Sequence, residues 1–215
     1  ERQTGFAHMG CHRVQRVKGA ARVLHNGRHF QAAQSLGFEA LLTPTGTWCE
    51  DAWIATAALS QHVERLKFLV AFRPGFISPT LAAHQAGTFQ RLTNGRLLIN
   101  IVTGGDPVEQ RRFGDHADHG QRYARTGEFL SVFRGLGARA GSGETLDFNG
   151  EHYRIEAAHL DAAPAGAPPV FFGGASPAAE LVAARHADVY LAWGETPAQI
   201  AERVARVRAL AQAQG

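Results

Sequence analysis

Four stretches of this chain carry residue types and spacings suited to chemistry. Cys49 stands before Glu50-Asp51 at the expected opening of a helix. Acidic residues suit the positive end of a helix dipole, and the same field favours a thiolate over a thiol. The plainer reading of Cys49 is a small apolar filler. Gly173-Gly174-Ala175-Ser176-Pro177 joins an apolar run to a helix, with Ser176 as N-cap and Pro177 at the first helical position. A glycine-rich turn into a helix N-terminus presents backbone N–H groups to an anion and lets a phosphate come close. Two glycines alone also fit an ordinary turn. Thr103-Gly104-Gly105-Asp106-Pro107 follows a second apolar run and opens a polar loop over residues 106–118. His116, Asp118, His119, Arg122 and Tyr123 gather at the end of that loop, where a helix over 119–136 begins. A solvated helix face accounts for such a cluster as well as a site does.

The elements that must position these residues alternate. Residues 67–72 form an apolar run of the kind buried on both faces of a sheet. Ser78-Pro79 then starts a helix whose stripe is Leu81, Ala82, Gln85, Phe89 and Leu92, and Asn94-Gly95 stops it. A second apolar run over residues 97–102 completes a strand–helix–strand unit, so the two strands are expected to be parallel. The same alternation gives strands at 38–43, 67–73, 97–103, 170–174 and 188–193, each followed by a helix. Before the first of them, Phe30, Ala33 and Leu36 space like a helix ending at Gly37; after the last, Ile200, Val204, Val207 and Leu210 share a helix face. Parallel sheets carry their chemistry beyond the C-terminal strand ends, where all four stretches fall. Periodicity leaves open whether the sheet is doubly wound or part of an eight-stranded barrel.

Two regions break the pattern. Residues 1–28 show no buried strand; Val14, Val17, Ala20 and Val23 fit at most a short amphipathic helix crowded by basic residues, in a loosely packed lead. Residues 137–169 hold a hairpin signal at Asn149-Gly150 and a segment rich in proline and alanine, and read as an insertion rather than a domain. The division expected is therefore a segment 1–28 and a barrel-type domain 29–215.

Composition narrows the function classes. A net charge of +3 with scattered arginines argues against a nucleic-acid groove, and no apolar run approaches the ~18 residues of a membrane span. No signal peptide is visible, and the two cysteines form no disulfide framework, so a reduced, cytoplasmic setting is expected. Without a His-Glu-x-x-His or Cys-x-x-Cys pattern, no metal site is expected among the eleven histidines.

From about Gly27 onward the motifs resemble those of the alkanesulfonate monooxygenases, among the bacterial-luciferase-like flavin monooxygenases. TPTGTWCEDAWIATAAL, RLKFLVAFRPGFISPTLAAHQAGTFQRLTNGRLLINIVTGGDP, HGQRYARTGEFL, LDFNGEHYRI and PPVFFGGASPAAELVAARHADVYLAWGETP carry the resemblance in the family's order. It implies an α/β fold, a TIM (β/α)₈ barrel with an insertion after the fourth family strand. It implies reduced FMN supplied by an NAD(P)H-dependent FMN reductase, molecular oxygen as co-substrate, and C–S cleavage of an alkanesulfonate to aldehyde and sulfite. A homo-oligomer is implied as well. Within the resemblance, Cys49 matches a cysteine beside the flavin and is the catalytic candidate. Asn100 and Thr103 match residues lining the ring pocket, Tyr123 and His119 lie near the FMN phosphate, and Gly174 and Ser176 match the phosphate turn. Arg73 matches an arginine after the third family strand, here with a bracing role. The family's first strand, which carries a histidine, is not found in residues 1–28; its last strands, with further histidine and arginine residues and a lid, would lie past residue 215. The chain therefore reads as a truncated member. Alternatives are a relative using F420 on another substrate, against which the Cys49 motif argues, and a non-catalytic remnant.

Overall fold

The computed structural model describes residues 6–8, 19–161 and 166–214, with side chains from Gly27 onward. In chain order the elements are β1 (Phe6–His8), α1 (Gly19–Ser35), β2 (Ala40–Thr43), α2 (Ala52–Leu59), β3 (Lys67–Phe72), α3 (Pro79–Thr93), β4 (Leu97–Ile101), α4 (Pro107–Arg112) and α5 (His119–Arg139). There follow β5 (Leu146–Asn149), β6 (Arg154–Ala158), β7 (Val170–Gly173), α6 (Pro177–His186), β8 (Val189–Leu191) and α7 (Pro197–Ala213).

Six strands form one sheet in the order β1-β2-β3-β4-β7-β8, and every pairing is parallel. A doubly wound sheet would reverse its strand order at a switch point and carry helices on both faces. Here the order never reverses. The strand residues that alternate to one face, among them Phe68, Val70, Phe72, Ile99, Ile101 and Phe172, share a large core with helical residues such as Phe30, Phe89, Phe129 and Phe133. Among the described residues the opposite face holds a separate small cluster of Ala40, Leu69, Leu98 and Phe171, with Leu42 and Leu191 against it, and no helical residue. Helices on one face only and strands in sequential order make a partial (β/α)₈ barrel, whose inner face is that small cluster.

The large core is aromatic. Phe30 stacks on Phe68 with ring centroids 5.6 Å apart, and Phe72 meets Phe129 at 5.7 Å. Each such side chain contributes about 1.5–3 kcal/mol on burial. The 21-residue α5 supplies Phe129, Leu130, Val132, Phe133 and Leu136 to this core. The antiparallel pair β5–β6 forms its own sheet, confirming a hairpin in the insertion. Its turn is docked by Glu128 of α5, whose carboxylate accepts the backbone N–H groups of Glu151, His152 and Tyr153 at 2.8, 2.8 and 3.0 Å.

Several expectations need correction. A strand does lie in residues 1–28: β1 runs beside β2 with Phe6 opposite Ala40 and His8 opposite Leu42. Three residues are too few to show a period of two, so the pattern could not reveal it. Val14 and Val17 lie outside the described residues, as do residues 162–165 of the proline- and alanine-rich segment. The loop over 106–118 contains α4, which Asp106 caps through the N–H of Val108 at 2.8 Å. Leu36, Leu81 and Leu92, expected on core stripes, are exposed; on α3 the expected Ala82 and Phe89 are buried, joined by Ala83, Ala86 and Gly87.

Candidate functional site

The C-terminal ends of the strands form one mouth, and the loops there are built from caps. Asp51 caps α2 by accepting from Ile54 N–H at 2.9 Å, so Cys49 sits in the turn before that cap and not in the first helical turn. Its Sγ lies 3.5 Å from the carbonyl oxygens of Pro44 and Gly46. Cys49 thus stands two residues ahead of the cap, with its sulfur against loop carbonyls.

Around Tyr123 the structure brings several of the expected residues together. The capping box of Asp118 and Gln121 fixes the start of α5. His119 lies on its first turn, exposed, with its ring centroid 4.8 Å from that of Tyr123. Tyr123 is buried and packs edge-on against Phe172 at 6.3 Å. Its hydroxyl points at the turn after β7: a Cβ added to Gly174 would lie 3.0 Å from it and 2.6 Å from the Cβ of Ala179. Gly174 has φ of 150°, which side chains rarely allow, so both conformation and space require glycine here. On the other side, the Tyr190 hydroxyl of β8 donates to the Gly174 carbonyl. Burial pushes the Tyr190 phenol above its usual range and keeps it a donor.

Ser176 caps α6, its Oγ accepting from Ala179 N–H at 3.2 Å. The hydroxyl proton remains available to a second acceptor. Among the described residues, the backbone N–H groups of Ala175, Ser176 and Ala178 find no protein acceptor. A glycine without room for a side chain, a serine hydroxyl and unpaired amides at a helix N-terminus suit a phosphate group.

Asn100 is buried on β4, in register with Ala71 of β3 and Phe171 of β7. It shares the inner face with Leu98, two residues back. Thr103 is buried just beyond β4, and Gln110 Nε2 of α4 donates to its carbonyl at 3.1 Å. Arg122 donates to the carbonyls of Ala117 at 2.7 Å and Gly104 at 3.4 Å, tying the β4 loop to the helix that carries Tyr123. Arg73 pairs with Glu109 of α4. Glu109, Gln110 and Tyr190 escape sequence reasoning; the capping signal Asp106-Pro107 would have found α4, but not where its side chains reach. Among the described residues no group of three or more His, Cys, Asp or Glu gathers as metal ligands, and no helix is long and apolar enough to cross a membrane.

A parallel sheet of six sequential strands, with helices on one side and polar residues at its C-terminal mouth, defines a partial barrel of the α/β class. The chain belongs to the luciferase-like monooxygenase family, whose model matches residues 3–215. Solved structures share this fold. The EDTA monooxygenase EmoA of Chelativorans sp. BNC1 matches with a TM-score of 0.80 at 22% identity over 90% of this chain and 52% of its own. The riboflavin lyase RcaE, solved with a modified FMN and riboflavin, gives 0.78 at 21% over 90% and 52%. The coenzyme F420-dependent tetrahydromethanopterin reductase of Methanopyrus kandleri gives 0.75 at 15% over 88% and 58%. The chain thus spans little more than half the length of these proteins.

Proposed function

We propose that these residues form the phosphate-binding side of a reduced-FMN site in a monooxygenase that cleaves the C–S bond of alkanesulfonates. The observation that supports this reading is the meeting of Tyr123, Gly174 and Ser176 at the unpaired amides of α6. The phosphate would rest on the N–H groups of Ala175, Ser176 and Ala178, with the hydroxyls of Ser176 and Tyr123 and the ring of His119 beside it. Asn100 on the inner face and Thr103 beyond it would border the flavin ring. When bound, reduced FMN supplies the activation of molecular oxygen. The protein residues orient it and keep water from the ring. Cys49 in the β2 loop faces the same mouth and is the candidate for contact with the reacting end of the flavin. The sulfonate assignment is supported by the Cys49-Glu50-Asp51-Ala52-Trp53 motif and its companions in sequence. The reductase that supplies FMN, a homo-oligomeric state and a cytoplasmic setting belong to the same proposal.

The test is a titration of the chain with FMN and reduced FMN. Ser176→Ala is expected to weaken binding about tenfold, the loss of one charge-assisted hydrogen bond. Tyr123→Phe should weaken it about threefold or more. Absence of FMN binding by the folded chain, with binding of F420, would move the assignment to the F420-dependent relatives. Sulfite release from octanesulfonate, measured with an FMN reductase and the protein, tests the substrate class.

A further inference from the structure

The turn that carries Cys49 is held by a carboxylate 62 residues away in sequence. Glu109 Oε1 accepts the backbone N–H of Thr47 at 2.9 Å and lies 3.4 Å from the Thr47 hydroxyl. Its other oxygen meets Nη2 of Arg73. Both partners are nearly excluded from water, with side-chain exposures of 6% and 12%. The Arg73 guanidinium lies beside the packed rings of Phe76 and Phe113, 5.8 and 5.7 Å from their centroids. Burial alone would raise the Glu109 pKa; the bonds from Arg73 and Thr47 outweigh it and hold the carboxyl below its ordinary range.

The turn packs down on this carboxylate. A Cβ at Gly46 would lie 2.9 Å from Glu109 Oε1 and closer still to the Trp48 ring. The Cys49 N–H closes the turn on the Gly46 carbonyl at 3.4 Å, and the sulfur lies 3.5 Å from that same oxygen. The next residue along α4, Gln110, grips the Thr103 carbonyl. A six-residue helix therefore joins the loops after β2, β3 and β4.

We propose that Glu109 is a positioning residue for Cys49: anchored by Arg73, it fixes the 46–49 turn through Thr47 and so sets how the thiol is presented at the mouth. What this means for catalysis rests on the reading of Cys49 given above; the effect on the thiol does not. Cys11 is first replaced by serine, so that Cys49 is the reporter. Alkylation of Cys49 by iodoacetamide and amide exchange at Thr47 are then measured in the parent and in Glu109→Gln, Arg73→Lys and Gly46→Ala. Glu109→Gln is expected to speed Thr47 exchange about tenfold and to change the alkylation rate about fivefold, with the circular dichroism spectrum kept. Arg73→Lys retains a charge for Glu109 but loses the planar guanidinium beside the rings, so it should move both rates in the same direction as Glu109→Gln by a smaller factor. Gly46→Ala keeps both charged side chains and pushes the turn off the carboxylate and the Trp48 ring, so it should shift Cys49 as Glu109→Gln does. Alkylation within about twofold of the parent in folded Glu109→Gln and Gly46→Ala overturns the proposal; if Glu109→Gln fails to fold, Gly46→Ala decides alone. FMN titration of the parent separates the two readings. A parent that binds no FMN refutes the flavin assignment and leaves the clamp standing, while an unmoved thiol in a parent that binds FMN refutes the clamp alone.

Discussion

Replacing Gly174 by alanine tests the phosphate turn most directly. The added Cβ would stand 2.6 Å from the Ala179 Cβ and 3.0 Å from the Tyr123 hydroxyl. Apolar carbons rest about 3.5–4.0 Å apart, so the overlap with Ala179 is about 1 Å. Ala179 is fully buried on the first turn of α6 and cannot swing aside as a long side chain would. Overpacking of this kind costs about 1–3 kcal/mol. Forcing a residue with a side chain to φ of 150° adds about 1 kcal/mol. Gly174→Ala should therefore lose about 2–4 kcal/mol in urea unfolding. Because relief of the overlap pushes α6 away from Tyr123, FMN affinity should fall about tenfold or more. The partner variant Ala179→Gly removes the facing methyl and costs up to about 1 kcal/mol by helix propensity. The double variant should recover about 1–2 kcal/mol beyond additivity in a double-mutant cycle. If Gly174→Ala unfolds within about 0.5 kcal/mol of the parent and binds FMN undiminished, the turn is not a tight cradle and the assignment of the phosphate fails.

Three further outcomes are expected. Glu128→Ala strips the acceptor from three backbone N–H groups of the hairpin turn and should cost about 2–4 kcal/mol, with amide exchange accelerated at residues 151–153 first. Arg96 donates to the carbonyls of Thr93, Val63, Leu66 and Ser60 at 2.8, 2.9, 3.2 and 3.1 Å and lies over the Phe68 ring. Arg96→Ala should cost about 3 kcal/mol in unfolding while the folded fraction keeps its FMN affinity, since these contacts lie at the end of β4 opposite the mouth. His186 is held neutral, its pKa lowered from 6.5 to about 4 by burial first and then by Arg185 and Arg134. The unfolded chain takes up that proton near pH 6.5 and the folded chain only near 4. Stability should therefore fall by about 2–3 kcal/mol as pH drops through this window and level off below it. Urea midpoints between pH 7 and 4.5 check this, and His186→Gln should flatten the slope; an unchanged slope in that variant assigns the loss to other groups.

How much of this was legible beforehand depends on the range of the interaction. Buried strands announce themselves through apolar runs such as residues 67–72 and 97–101, because a strand covered on both faces has no polar side to show. Caps are equally local: Ser78, Ser176 and Thr196 each accept an N–H three residues on, and each precedes a proline. Helix faces were less legible. On α3 and α6 the close contacts are made by Ala82, Ala83, Ala86, Gly87, Ala179 and Ala183, while Leu81, Leu92 and Leu181 look outward. A helix pressed against both a sheet and its neighbours sits closest where its side chains are smallest, so volume rather than hydropathy selects the face.

Beyond a few residues the pattern is silent, and there the site is made. Nothing near Glu109 in sequence indicates that it meets Thr47 and Arg73, and nothing near Tyr190 indicates that it holds Gly174. Those contacts follow from strand order. Because β2, β3 and β4 are laid down side by side in sequence order, the loops after them are neighbours, and a short helix after β4 can reach back across two of them. Because β7 and β8 continue the same order, a tyrosine on β8 is beside the turn that ends β7. In a doubly wound sheet the reversal of order would have opened a crevice between two such loops and placed the ligand there. Here no crevice is needed. Each loop braces the next, and the thiol-bearing turn and the phosphate turn are positioned by residues on neighbouring strands or the helices that follow them.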